Sequence, residues 1–220
     1  MTGILPIRPI RPAGVEDMET IIGMIGEAAE WLRTKDTDQW AAPWPSRPAR
    51  DARVLRDLRA GRTWLVEDGS GAAVATITCN SAGNRRLWTS EYQLESAVYV
   101  ARLIVGRDYT GQRIGEELID WAGACALRGW SAKWVRIDVW TTNDALHNYY
   151  EKRGFQRCGS CVFTDDEFYP SAALFQKPTA EIDLEAASRF VELPGRSPAG
   201  SVDGAEPDCA AAPVLTSSPE

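Results

Sequence analysis

The sequence predicts a mixed α/β domain in which strands and helices alternate along a single chain. Three observations predict it. Apolar residues recur at helical spacing in separated stretches. Short runs rich in β-branched and aromatic residues, bounded by Gly, Asp or Asn, lie between those stretches. The 220 residues are 44% hydrophobic and 25% charged, an ordinary balance for a globular chain long enough to bury a core without disulfides.

The elements follow in order. Ile4–Arg11 reads as an opening strand, which its prolines confine to a sheet edge. Met18, Ile21, Ile22, Ile25, Ala28, Ala29 and Leu32 share one helical face, so Val15–Leu32 is a first amphipathic helix. Arg50–Ala60 is a second helix, closed by Gly61. Thr63–Glu67 and Ala72–Thr78 form a hairpin around Asp68-Gly69-Ser70-Gly71. Ser96–Val105 is apolar enough for a central strand. Ile114–Leu127 is a helix with Ile114, Leu118, Trp121, Ala122 and Cys125 on one face, and Trp134–Trp140 is the next strand. Asn143 caps a helix over Asp144–Arg153, and Gly154 supplies its left-handed exit. Phe155–Phe163 and Ala172–Gln176 are the last strands, giving β-α-α-β-β-β-α-β-α-β-β.

From Thr179 the composition turns to Pro, Ala, Ser and Gly. Residues 1–178 are read as the domain and 179–220 as a mostly disordered tail, with a short helix open at Glu181–Leu193. The tail has eight acidic residues against Arg189 and Arg196, so it carries six of the seven net negative charges. The nearly neutral body lacks the basic face that a nucleic-acid groove needs. No apolar run approaches a membrane span, and MTGILPIRPIRP lacks the apolar core of a signal peptide. Five widely spaced cysteines do not make a disulfide framework, so a reducing cytoplasm is the expected location.

The chemistry-bearing stretch runs from Tyr99 to Phe155. An apolar strand enters a loop containing Gly111, and a helix begins around Ile114-Gly115. Such a turn aims free N–H groups and a positive dipole end at one point, which suits a pyrophosphate. A tight strand-to-helix connection is the other reading. A second element follows: Ile137-Asp138-Val139, Asn143, then Tyr150-Glu151-Lys152-Arg153-Gly154-Phe155.

Together these segments resemble motifs A and B of the GNAT (Gcn5-related N-acetyltransferase) superfamily. Motif A, Gln/Arg-x-x-Gly-x-Gly/Ala, falls on Thr110-Gly111-Gln112-Arg113-Ile114-Gly115, where Gly115 matches, Thr110 replaces Gln/Arg and Arg113 replaces the central glycine. Gly111 and Gln112 match a commoner form, Arg-Gly-Gln-Gly-Ile-Gly. Motif B is close to Leu-x-Val…Asn…Tyr-Glu-Lys-x-Gly-Phe. The resemblance implies a mixed, mostly antiparallel sheet of six to seven strands, helices on both faces and a splayed central strand pair. It also implies acetyl-CoA as cosubstrate, with no metal. Leu103, Ile104 and Val105 would meet the pantetheine amides and the acetyl carbonyl, and Thr110, Gly111, Gln112, Arg113, Ile114 and Gly115 the pyrophosphate, with Arg107 or Arg113 assisting. Asn143 would contact the pantetheine arm, and Tyr150 would protonate the departing thiolate.

An alkyl amine is protonated near neutrality, so a base must deprotonate the acceptor. Glu95, at the start of the splayed strand, is the first candidate, followed by Asp138 and Glu91. The loop Asp36–Pro45 places Asp36, Asp38, Trp40 and Trp44 together without strand or helix periodicity. It reads either as a wall receiving a cationic amine or as a tryptophan lid packed on the sheet. A small-molecule amine is the expected acceptor of a monomer or homodimer. A protein lysine or N-terminus, or a silent acyl-CoA-binding module, are the alternatives. His147 reads as a helix-surface residue, Cys158 and Cys161 as ordinary half-buried thiols, and Asp165–Pro170 as a solvated hairpin loop.

Overall fold

The opening segment is strand despite its prolines, and their positions in the ladder explain why. The computed structural model describes residues 7–162 and 171–196. Strand β1 is Arg8–Pro12. It pairs antiparallel with β2, Thr63–Glu67, and parallel with β8, Phe190–Glu192. The Arg8 N–H donates to the Arg189 carbonyl and the Ala13 N–H to the Thr63 carbonyl, so even and odd positions face opposite neighbours. Pro9 therefore faces β2, whose register begins at Ile10, and Pro12 faces β8, whose register ends there. Neither proline interrupts a bond that the ladder needs. The edge position expected for this strand is thus corrected: β8 covers it.

The remaining elements follow the expected order. Helix α1 is Met18–Leu32, preceded by a 3-10 turn, and α2 is Arg47–Arg59, capped by Ser46, whose Oγ accepts from Ala49 N at 3.3 Å. The cap and Pro48 start α2 three residues earlier than the apolar spacing suggests. Strand β3 is Ala73–Asn80, β4 Ala97–Val105 and β5 Trp134–Val139. Helix α3 is Ser90–Gln93, a single turn without sequence periodicity, α4 is Ile114–Trp130 and α5 Asp144–Glu151. Strands β6, Gln156–Val162, and β7, Ser171–Pro178, complete the main run, and α6 is Leu184–Ala187. The eight strands lie in the order β6-β7-β5-β4-β3-β2-β1-β8.

Successive residues of a strand point to opposite faces. Trp64 and Val66 accordingly join the core under α4, while Leu65 joins Ile21, Ile25 and Val54 under α1 and α2. Helices therefore cover both faces of a mixed sheet, which is the predicted class with one or two more strands.

The added strand comes from the region read as tail. Phe190 packs edge-on against Trp121 at 6.4 Å, and Trp121 Nε1 donates to Glu192 Oε1 at 3.2 Å. Glu117 is buried between Arg8, at 2.6 Å, and Arg189. Gly123 permits the docking, since a Cβ there would stand 2.9 Å from Ile182 and 3.0 Å from Val135. The domain boundary expected at 178 is corrected accordingly: residues 179–196 belong to the folded unit. The Asp165–Pro170 loop and residues 197–220 lie outside the described residues.

Candidate active site

The site arises where two strands part. Strand β4 pairs in parallel with β5 from Ala97↔Trp134 to Val100↔Ile137 and no further. Beyond that point β4 continues along β3 to Val105, whereas β5 continues along β7 to Val139. At the fork Arg102 adopts a φ of 48°, the β3–β4 register shifts, and the Arg102 guanidinium pairs with buried Asp57. A left-handed arginine is sterically costly and marks a constrained position. Leu103, Ile104 and Val105 are thereby left with a backbone edge that β5 does not cover.

Two cavities open on this gap, one of about 670 Å³ and one of about 380 Å³. Both are bounded by Gln39, Trp40, Leu103 and Leu146, so these residues form the partition between them. Trp40 has a φ of 60°, a second strained residue at the partition.

The larger cavity is lined by Leu103–Arg107, by Asn143 and Tyr149, and by one side of α1. Asn143 caps α5, its Oδ1 accepting from Leu146 N at 3.0 Å, while its Nδ2 donates to Gln39 Oε1 at 2.7 Å. Arg107 lies 4.1 Å over the Trp31 ring. Past the cavity's end the chain turns into α4. Gly111 has a φ of 84° and Arg113 a φ of 61°, and the first N–H groups of α4, at Ile114 and Gly115, have no carbonyl partner within the helix, whereas that of Glu116 donates to the Arg113 carbonyl at 3.0 Å. Arg113 thus occupies the left-handed position where the family motif has glycine. Its guanidinium is tied to Glu116 at 3.0 Å, and that pairing holds its pKa above the ordinary value. A Cβ at Gly115 would stand 3.4 Å from the Tyr149 hydroxyl. Residues 110–115 border this entrance and are not in the cavity lining.

The smaller cavity contains Asp138 and Tyr150. Tyr150 is 5% exposed and packs against Phe155 and Phe175, and burial pushes its hydroxyl well above the usual phenol range. Burial likewise pushes the Asp138 carboxyl up to about 6. Trp40 and Trp44 also line this cavity, with Arg53 5.9 Å over the Trp44 ring.

Other expected site residues lie elsewhere. Glu95 Oε2 accepts from Trp134 Nε1 at 2.8 Å, and its Oε1 lies 3.6 Å from Lys133 Nζ. Those partners open β5 at the closed end of the β4–β5 pair. At about 3.3 Å per residue, Glu95 is roughly 16 Å of strand from the fork. Glu91 is exposed on α3 and lines neither cavity. Asp36 lines the larger cavity, and the Asp38 carboxylate accepts from the Thr142 hydroxyl. The acidic half of the expected acceptor wall is therefore absent from the smaller cavity. His147 is corrected from surface to interior: it is 6% exposed, with Nε2 2.9 Å from the Trp140 carbonyl. Cys158 and Cys161 are half-buried free thiols.

The smaller cavity is also lined by arginines that apolar periodicity does not single out: Arg33, Arg47, Arg50, Arg53 and Arg102. Three of them recur at three-residue intervals along α2. That spacing was a readable signal of one basic helix face.

A parted central strand pair, flanked by a large and a small cavity, with a helix start at the mouth of the larger, defines an acyltransferase scaffold. The family model described as the acetyltransferase (GNAT) family matches residues 25–155. An uncharacterized N-acetyltransferase of Bacillus subtilis (strain 168), YesJ, is 28% identical over 151 residues, covering 68% of this chain and 82% of that protein. A GNAT-family acetyltransferase from Listeria monocytogenes 4b F2365 superposes with a TM-score of 0.61 at 21% identity, covering 78% of this chain and 94% of the other. A PaiA N-acetyltransferase from Thermoplasma acidophilum, solved in complex with coenzyme A, gives 0.56 at 18% identity, covering 77% and 97%. The chain belongs to the GNAT acetyltransferase family and is an N-acetyltransferase. Among the described residues no helix is long and apolar enough to cross a membrane, and no group of three or more His, Cys, Asp or Glu is placed to hold a metal.

Proposed function

We propose that the protein transfers acetyl from acetyl-CoA to the primary amine of a small molecule, by direct attack across the β4–β5 gap. The observation that carries this reading is the pair of cavities meeting at Leu103. One is large enough for a pantetheine arm, and the other is small and holds Asp138 and Tyr150. The uncovered β4 edge and the turn into α4 fit the amides and phosphates of that cosubstrate, since both offer backbone N–H groups without strand or helix partners.

Acetyl-CoA supplies an activated thioester. The chain's own groups then handle two protons. Asp138 takes one from the acceptor ammonium, leaving a neutral amine to attack the acetyl carbonyl, and it replaces Glu95 as base because it lines the cavity. N–H groups near Leu103–Val105 receive the charge that develops on the carbonyl oxygen. As the C–S bond breaks, Tyr150 donates its hydroxyl hydrogen bond to the leaving sulfur. The amine nitrogen gives up its second proton as the thiol gains one, so each turnover releases one net proton. The raised pKa of Tyr150 keeps it a donor throughout the neutral range.

Acetyl-CoA at 100 times its dissociation constant should stabilise the fold by about 2.7 kcal/mol. A melting temperature that millimolar acetyl-CoA or CoA leaves unmoved would remove the cosubstrate from the account.

A further inference from the structure

The charges around the smaller cavity are one-sided. Arg33 comes from the C-terminal cap of α1, Arg47, Arg50 and Arg53 from α2, and Arg102 from the β4 fork, whereas Asp138 is the only acidic residue among the described residues of the lining. Some of this charge is already engaged. Arg102 pairs with Asp57, Arg50 lies 2.7 Å from Asp51, and Arg53 donates to the Trp44 carbonyl. Among the described residues, no carboxylate stands within ion-pair distance of Arg33 or Arg47.

We propose that the acceptor is an amine that also carries an anionic group, a carboxylate or a phosphate, which the arginine face of α2 and Arg33 receive while the amine points to Asp138. The proposal rests on the smaller cavity being the acceptor side. Guanidinium groups match carboxylate and phosphate oxygens in a planar fork, and several converging donors favour such a group over a neutral chain. The same field disfavours a second ammonium group on the acceptor. It also favours the neutral form of the reacting amine, because a nearby like charge lowers an ammonium pKa. A cavity of about 380 Å³ suits an acceptor of amino-acid size. This reverses the expectation of a cationic amine held by Asp36 and Asp38.

The test compares acceptors of equal reach in a thiol-release assay with acetyl-CoA: β-alanine, O-phosphoethanolamine, n-propylamine and 1,3-diaminopropane. The melting temperature of the CoA-bound protein is recorded with each. At least one anionic amine should exceed propylamine about tenfold in kcat/KM, and diaminopropane by more, the tenfold corresponding to about 1.4 kcal/mol, within reach of a single charge-assisted contact. The carboxylate and phosphate arms tell the two anions apart. Arg47→Gln should remove most of that advantage, lowering kcat/KM for the anionic amines several-fold more than for propylamine. Arg47→Glu, on the exposed first turn of α2, should shift the preference toward diaminopropane. Propylamine or diaminopropane turned over as well as both anionic amines would overturn the proposal. If no amine releases thiol, the transfer reading fails separately. The binding of an anionic amine at the arginine face then stands if the anionic amines raise the melting temperature and diaminopropane does not, and falls if they do not.

Discussion

At the scale of single residues, the proposed chemistry turns on Asp138 and Tyr150. Asp138 works as a base only when ionised, and burial holds its pKa at about 6, above the ordinary carboxylate range. The sign follows directly: below that pH the group is protonated and idle, above it the group is ionised. kcat/KM should therefore rise with pH through about 6 and level off. Asp138→Asn should erase that limb and lower the plateau by about 10²–10⁴-fold, the usual share of general base catalysis. Tyr150→Phe should lower the plateau and leave the limb in place. A limb near 6 that survives Asp138→Asn would assign the base elsewhere. The spacing of seven from Asn143 singled out Tyr150, which lies in the smaller cavity while Tyr149 lines the larger. Asp138 was harder to place, because a strand residue's access to a gap depends on where its neighbour stops pairing. Glu95 looked well placed only while the open end of the strand pair was unknown.

At the scale of elements, most boundaries were written in the chain. The 3.6-residue periodicity of α1 and α4, the Asp-Gly-Ser-Gly hairpin and the Asn143 cap each carry a local cause, and each element formed where that cause lies. Strand β8 had no such signal. Phe190-Val191-Glu192 is three residues long in a Pro- and Ala-rich setting, and its order comes from β1 and from α4. Local reasoning could not see partners more than 60 residues away. Phe190 is 7% exposed, and Phe190→Ala should cost about 3 kcal/mol, the low end for a buried aromatic. Denaturant unfolding would measure it. A midpoint within error of the parent protein would mean that residues 179–196 add nothing to the fold. Arg47, Arg50 and Arg53 are the opposite case: their spacing was legible, but the cavity they face was not.

At the scale of the whole molecule, the net charge of -7 misdirects. Most of it belongs to residues 179–220, while the smaller cavity is ringed by arginine. Global charge speaks to solubility and association, and local charge to recognition. The architecture joins the two cavities through one gap, and among the described residues neither lining contains a cysteine or a serine, Thr37 in the larger being the one aliphatic hydroxyl. The central claim is therefore a direct transfer with both substrates bound at once. Initial-rate kinetics with acetyl-CoA and an acceptor amine varied together test it most directly. The account predicts intersecting double-reciprocal lines and thiol release that requires the amine. Parallel lines, with an acetylated protein isolated in the absence of acceptor, would contradict it.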